Sequence, residues 1–351
     1  MHVPGLVKID AAQERELIVD VLRQLGASAD EASEQASALV EGDLRGRHSH
    51  GVQRLPVIVE RLRAGLIRPG ASHHATWTAE AMLSVDGGFG FGAHVARRVV
   101  EMISERAART GLAAAAIRNA SHLGMLAPYV EYLATNGLVA LAFTTSEALV
   151  HPWGGRVALV GTNPVAIALP AGGEPFVMDM ATGAISKGEV IARRLRGQDL
   201  PPGAAVDAEG RPTVDPVAAD RGAISPFGGS KGFALGLAIE LLVAALTETE
   251  LGQRVRGTLD VTDPVTKGDV LMVFDPVACG VQPFSERLGA YLRELRDSPP
   301  APGSQGVTIP GDRMRAERRR RLREGIPLPE GLWRELVALR EGVDREASAR
   351  A

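Results

Sequence analysis

Residues 42–54 read Gly-Asp-Leu-Arg-Gly-Arg-His-Ser-His-Gly-Val-Gln-Arg, which packs an acid, two histidines, a serine and three arginines between two helical patterns. A simple connection needs less titratable chemistry than this, and the stretch reads as an active-site loop. If His50 stands just before a helix from Val52, Arg54 lies four residues on and projects from the same side of the first turn. An imidazole and a guanidinium so spaced can address one small acid. The arginine pairs with its carboxylate, the histidine exchanges a proton with the adjacent oxygen, and Ser49 hydrogen-bonds the same molecule. A polar helix cap accounts for the spacing equally well.

Four other segments bear on that choice. Asn119-Ala120-Ser121-His122-Leu123-Gly124 sets a second histidine between a buried strand and a helix, where α/β proteins carry functional loops. Gly161-Thr162-Asn163-Pro164 is a polar turn before an apolar strand, and Asp179-Met180-Ala181-Thr182-Gly183 an acid-led loop after another. Gly228-Gly229-Ser230-Lys231 opens onto a helix, so backbone amides, the helix dipole and the lysine can converge on a phosphate. Together they suggest a phosphate-bearing cofactor beside a small acid.

Some motifs are weaker than they look. Gly88-Phe89-Gly90-Phe91-Gly92-Ala93 fits the dinucleotide fingerprint after a strand and before a helix, yet the next strand ends in Arg118 and Asn119 rather than an acid for the ribose. A glycine turn that lets helix and strand pack closely is the better reading. Gly228 to Gly232 matches the nucleophile elbow of α/β-hydrolases, but the eight histidines stand at 2, 48, 50, 73, 74, 94, 122 and 151, so none follows Ser230. The His48/His50 and His73/His74 pairs lack the partners that complete a zinc site, and no metal is expected. Arg313 to Arg323 can touch phosphates, although with Glu317 and Glu324 on the same helix it reads as a solvated face.

The elements that must hold these groups follow from periodicity. Helices are expected over 11–25 (Leu17, Val21, Leu22 and Leu25 inward), 29–42 with Ser28 as cap, and 52–64 with Pro56 in the first turn. From residue 81 strands alternate with helices: strands at 82–86, 112–117, 138–144, 165–169, 175–178 and 269–274, helices at 95–109, 126–135 and 233–247. Residues 201–216, with the turn Asp207-Ala208-Glu209-Gly210, read as a surface loop, 297–310 as a linker, and 313–325 and 332–341 as helices.

Bulk properties limit the partners. A chain of 351 residues suggests two domains, and a net charge of 39 − 42 = −3 gives no general attraction to nucleic acid or an anionic membrane. The start lacks a secretory pattern, and the apolar stretch 233–246 carries Glu240 and is short for a bilayer. The single cysteine, Cys279, excludes an internal disulfide. A soluble cytoplasmic protein is expected.

In order, Asp43…Gly46-x-x-Ser49-His50-Gly51-x-x-Arg54, His122-x-Gly124, Pro152-Trp153-Gly154-Gly155, Gly161-Thr162-Asn163-Pro164, Asp179-Met180-Ala181-Thr182, Gly228-Gly229-x-Lys231-Gly232 and Pro310-Gly311 resemble the malate/L-lactate dehydrogenase family of non-Rossmann NAD(P)-dependent oxidoreductases. The likeness runs from about residue 8 to 342. It implies an α/β protein in which a non-Rossmann mixed-sheet domain, 76–299, binds cofactor and substrate and is joined to a helical domain, 1–75 with 300–351. It further implies a homodimer with the active site near the subunit interface, and hydride transfer between NAD or NADP and a small 2-oxo acid. By motif, His50 resembles the proton donor, with Ser49 and Arg54 on the substrate and Thr162 near its carboxylate. Some members give the proton-transfer role to the His122 position. Cofactor contacts are implied for Ser146, Asp179, Met180, Ala181, Lys231 and Gly311. Ser121, Met125-Leu126 and the 246–250 segment depart from the family pattern, and Lys187-Gly188-Glu189 falls in a loop near which members differ in substrate. Reduction of a cyclic imino acid is the nearest alternative activity. A non-enzymatic nucleic-acid-binding protein is the remote one, tested by salt-sensitive binding.

Overall fold

Asp10 accepts the Ala12 N–H at 2.8 Å to start helix Ala11–Gln24, and Ser28 and Glu31 form a reciprocal capping box at the head of helix Ala29–Leu44. Each cap contributes about 1 kcal/mol by satisfying amides that the first turn leaves free. Leu17, Ile18, Val21 and Leu22 are buried in one core with Ala32, Ala36, Leu39 and Val40, while Leu25 is only half-buried. Strand Leu6–Ile9 pairs antiparallel with Ile326–Pro329, and helix Glu330–Ser348 packs on Ala11–Gln24, so the C-terminal segment completes this helical layer. This computed structural model describes residues 5–278, 280 and 284–348, with only the backbone for 344–348; residues 1–4 and Cys279, on which the secretory and disulfide expectations turn, lie outside the described residues.

Among the described residues the largest sheet orders its strands His74–Ala79, Met82–Asp86, Leu112–Arg118, Gly268–Phe274, Val139–Thr144, Val165–Leu169 and Phe176–Met180. Met82–Asp86 and Leu112–Arg118 pair in parallel through helix Gly92–Thr110, and every other pairing in the sheet is antiparallel. The sheet is therefore mixed, as expected. The run of alanines in Leu112–Arg118 leaves room for that helix to lie close. Period-two alternation in Gly268–Phe274 sends Leu271 and Val273 under helices Gly92–Thr110 and Ala127–Thr135, and Val270 to the opposite face beneath Ile239 and Val243 of helix Ser230–Thr247.

The glycine fingerprint is consumed by packing. Gly88 and Phe89 have φ of +59° and +62°, Phe89 N–H donates to the Asn119 carbonyl at 2.7 Å, and a Cβ on Gly92 would overlap the Ser121 backbone. Phe91 is buried in the helical core. Ser121, the departure noted before His122, accepts the Gly92 N–H at 2.8 Å.

Four expectations are corrected. The helix predicted from Val52 begins at Leu55, because residues 48–50 and 52–54 form two short 3-10 turns hinged at Gly51. Residues 201–216 are not merely a surface loop. Ala205–Val206 and Pro212–Thr213 form a hairpin whose buried Ala204 and Ala205 join a smaller sheet with Ala223–Ile224, Ala148–Val150 and Val160–Gly161. Lys187-Gly188-Glu189 is the first turn of helix Lys187–Arg196, capped by Ser186. The arginine run is not a solvated face: Arg315 and Arg321 are buried, Arg315 donates to the Pro175 carbonyl at 2.9 Å, and Arg318 grips Glu41 at 2.7 Å. Helix Asp312–Glu324 thus bolts the helical layer to the strand Phe176–Met180.

Candidate active site

Asp43, 1% exposed at the end of helix Ala29–Leu44, organises the loop that follows. Its Oδ2 accepts the Val52 N–H at 2.6 Å and its Oδ1 lies 2.5 Å from His48 Nδ1. Gly51 is required beside it, since a Cβ there would overlap the carboxylate. Arg321 Nη1 donates to the Asp43 carbonyl at 2.7 Å and to His48 Nε2 at 2.9 Å. A guanidinium only donates, so the His48 proton sits on Nδ1, facing Asp43. That commits His48 to holding the loop. Behind Asp43 lies Glu14, wholly buried, its carboxyl pushed up to about 10 by burial and by the Asp43 charge. No N–H or hydroxyl of another described residue reaches either Glu14 oxygen, so its hydrogen bond to Asp43 is made by its own carboxyl proton.

The loop so fixed presents Ser49, His50 and Arg54. Ser49 Oγ lies 3.0 Å from His50 Nδ1, and the His50 ring stands 5.4 Å from the ring of His122, tilted by 37°. His122 Nδ1 accepts the Gly124 N–H at 3.0 Å, which puts its proton on Nε2. Both imidazoles are held neutral. Burial, then the charges of Arg54 and Arg47, lowers His50 to about 3, and burial followed by Arg54, His50 and Lys267 drives His122 well below the usual histidine range. Arg54 donates to the Thr258 carbonyl at 2.5 Å and the Ser49 carbonyl at 3.4 Å. Burial lowers its pKa to about 10, against the opposing charge of Glu147. Arg54 and His122 line one cleft with Ile58, Arg61, Ser121 and Thr258.

Thr162 belongs to a second cluster. Its N–H donates to Ser146 Oγ at 2.9 Å and its hydroxyl lies 3.2 Å from the same atom. The adjoining Asn163 (φ +27°) is fully buried and donates to Glu240 at 2.7 Å, and Glu240 also accepts the Gly161 and Gly252 N–H groups. This explains a carboxylate in the middle of an apolar helix: it holds the turn at 161–163. No hydrogen bond or ring contact joins Thr162 to His50 or Arg54. The link runs through Glu147, whose carboxylate binds Thr258 N–H at 2.6 Å and Leu259 N–H at 2.9 Å and so supports the carbonyl that Arg54 grips.

Of the residues assigned to the cofactor, Ser146 belongs to that cluster, and Asp179, Met180 and Ala181 lead into Thr182, whose N–H donates to the Thr162 carbonyl at 2.7 Å. Asp179 and Met180 finish strand Phe176–Met180 rather than opening the loop, and Ala181 follows. Asp179 accepts the Ala127 N–H at 2.8 Å at the head of helix Ala127–Thr135, and burial raises its carboxyl above the usual range. The 181–184 segment is tied to the approach of helix Ser230–Thr247, with Phe227 N–H donating to the Thr182 carbonyl at 3.1 Å and Ala184 N–H to Ser225 at 2.8 Å. Gly311, φ +95°, heads helix Asp312–Glu324, and a Cβ on it would stand 2.9 Å from the Val177 carbonyl. A phosphate-bearing group fits here on one observation. Among the described residues, helix Ser230–Thr247 begins at Gly229 (φ +68°) with no side chain capping its amides, and the exposed Lys231 beside them makes no ion pair.

Sequence reasoning missed Glu147, Thr258, Arg61 and the position of Gly188. A Cβ on Gly188 would come within 2.6 Å of the Ser49 Cβ, so the first turn of helix Lys187–Arg196 rests on the histidine loop. Glu189 accepts from Arg193 at 2.8 Å within that helix. Contacts of this kind carry no local signal. Among the described residues no group of three His, Cys, Asp or Glu side chains converges as a metal site would require; His94 instead binds Glu34 at 2.6 Å and meets His73 edge-on.

A family model described as malate/L-lactate dehydrogenase matches residues 9–337. A malate/(S)-sulfolactate dehydrogenase of Methanothermus fervidus is 32% identical over 96% of this chain and 98% of its own length. A Δ1-pyrroline-2-carboxylate reductase of Burkholderia multivorans is 35% identical over 92% of this chain and 94% of its own. The crystal structure of a dehydrogenase from Sinorhizobium meliloti superposes with a TM-score of 0.91 at 48% identity, covering 96% of this chain and 99% of that one.

Proposed function

The chain belongs to the malate/L-lactate dehydrogenase family of NAD(P)-dependent dehydrogenases and reductases, and from that premise we propose that it interconverts a small 2-oxo acid and its 2-hydroxy acid. The observation that carries the reading is the close His50–His122 ring pair beside the half-buried Arg54. Reduced nicotinamide, when bound, supplies the hydride that adds to the substrate carbonyl carbon. Arg54 pairs with the substrate carboxylate, and Ser49 fixes the His50 ring through Nδ1. As the imidazolium, His50 then gives its Nε2 proton to the forming alkoxide and is left neutral, and the neutral ring takes the proton back in the reverse direction. His122, whose Nε2 is the nitrogen left free by the Gly124 contact, is the competing site of proton exchange. The cofactor is held by Ser146, the strand end Asp179–Ala181, Gly311 and the Lys231 helix terminus.

In the same reading the helical layer, 1–75 with 300–351, carries the histidine loop, and 76–299 binds cofactor and substrate. The enzyme works as a cytoplasmic homodimer. In support of the dimer, helix Ser230–Thr247 turns Leu235, Leu241, Leu242 and Leu246 outward, each more than 40% exposed. A second activity, reduction of a cyclic imino acid, is favoured by the Burkholderia relative and by the shared hydride geometry of C=N and C=O. Steady-state assays of NADH and NADPH absorbance with pyruvate, oxaloacetate and 1-pyrroline-2-carboxylate test both. The expected outcome is turnover of a 2-oxo acid; no turnover of these three or of 3-sulfopyruvate with either cofactor sinks the proposal.

A further inference from the structure

Arg61 is 3% exposed, yet only part of its guanidinium is used. Nη1 donates to the Asp260 carbonyl at 2.7 Å and the Asp263 carbonyl at 3.2 Å, while Nε and Nη2 have no acceptor among the described residues. The nearby acids are otherwise engaged. The Asp260 carboxylate takes the Gly257, Thr262 and Asp263 amides and stands 3.8 Å from Arg61, and Glu147 is taken by Thr258 and Leu259. A buried cation with idle N–H groups is a donor lacking its acceptor.

Its position suggests which acceptor. Arg61 lines the same cleft as Arg54 and His122. It stands seven residues beyond Arg54, two helical turns or about 10 Å along the same face. A monoanionic acid needs one of these guanidiniums and leaves the other unpaired. A four-carbon diacid, with a charge-assisted hydrogen bond of about 2.8 Å at each end, reaches between them.

We propose that Arg61 selects for dianions: the substrate is a 2-oxo or 2-hydroxy acid with a second anionic group, whose 1-carboxylate meets Arg54 and whose distal carboxylate or sulfonate meets Arg61. The inference rests on the reading of the site as a 2-oxo acid reductase. Apolar walls from Leu39, Ile58 and Ile67 exclude water from the contact and raise the penalty for leaving the cation unmatched.

The test uses the full-length enzyme with saturating reduced cofactor and four substrates: pyruvate, oxaloacetate, 3-sulfopyruvate and 1-pyrroline-2-carboxylate. Wild type is expected to favour at least one dianion over pyruvate by tenfold or more in kcat/KM, on the order of one charge-assisted contact, and the better of the two identifies the distal group. Arg61→Met should lower kcat/KM for that dianion by about 100-fold, mainly through KM, with pyruvate changed by less than about threefold, and Arg61→Lys should restore part of the loss. Equal losses on pyruvate and the dianion would mean that Arg61 only holds the 257–263 loop, and would overturn the proposal. So would a wild-type preference for pyruvate or the imine, which decides the matter even if Arg61→Met does not fold. Failure to turn over any of the four refutes the reductase reading itself.

Discussion

His50 is neutral in the free enzyme because burial, and then the charges of Arg54 and Arg47, penalise a further positive charge, and that has a definite consequence for pH. Oxidation of a hydroxy acid needs the neutral ring as proton acceptor, and this form predominates at every pH above about 3. Reduction needs the imidazolium, so its kcat/KM should fall as pH rises. When the substrate carboxylate neutralises the Arg54 field, the ring becomes easier to protonate, and the pKa governing kcat in reduction should stand above the one governing kcat/KM. Initial-rate profiles in both directions measure this. The same residue predicts a mutational split: His50→Ala should lower turnover by about 10²–10⁴-fold with little change in cofactor affinity by fluorescence titration. Should His122→Ala carry that loss instead, with His50→Ala near wild type, the two histidines exchange roles.

One scale up, helix Ala11–Gln24 reaches the active-site loop through Glu14. A group whose folded pKa is raised stabilises the fold fully below its unfolded pKa and loses that contribution as pH climbs through the folded value. For Glu14 the window runs from 4.5 to about 10, with Asp43, Arg321 and Arg15 as its charged neighbours. Glu14→Gln keeps a neutral hydrogen-bond donor and removes the titration. Its unfolding free energy in urea should therefore gain on wild type by up to about 1.4 kcal/mol per pH unit across that window. Glu14→Leu, which cannot donate to Asp43, should lose activity that Glu14→Gln retains. A constant difference between Glu14→Gln and wild type from pH 5 to 9 would show that Glu14 is ionised in the fold. Elements with a local signal were readable in the chain: Ser28 as the cap of the second helix, the apolar runs at 82–86 and 112–117, and the helix at 95–109. What escaped was decided across long separations. The two-residue strand Val160–Gly161 exists because Ala148–Val150 lies beside it, and helix Lys187–Arg196 buries little beyond Val190. At the site, the motifs identified His50, His122 and Arg54 as candidates. Their grouping, and the parts played by Glu147 and Thr258, depend on contacts 204 and 111 residues apart in sequence.

For the molecule as a whole, helix Ser230–Thr247 carries two different faces. Ile239, Glu240 and Val243 turn inward, two of them onto the sheet and Glu240 onto Asn163, while Leu235, Leu241, Leu242 and Leu246 turn outward among alanines. A period that keeps leucine on both sides is what a helix buried on both sides requires, and the outward side has no cover among the described residues. Trp153, 61% exposed, rests against Gly229 at the head of the same helix and extends the patch toward the Lys231 amides. If a second copy covers this face, the interface adjoins the cofactor cluster, and loss of the dimer should be felt there. Leu241→Glu sets a charge in the centre of the patch without touching the inward face. Sedimentation should show a dimer for wild type and a monomer for Leu241→Glu, with KM for the nicotinamide raised more than KM for the acid. A monomeric wild type of full activity would assign the patch to another partner and free the site from any dependence on assembly.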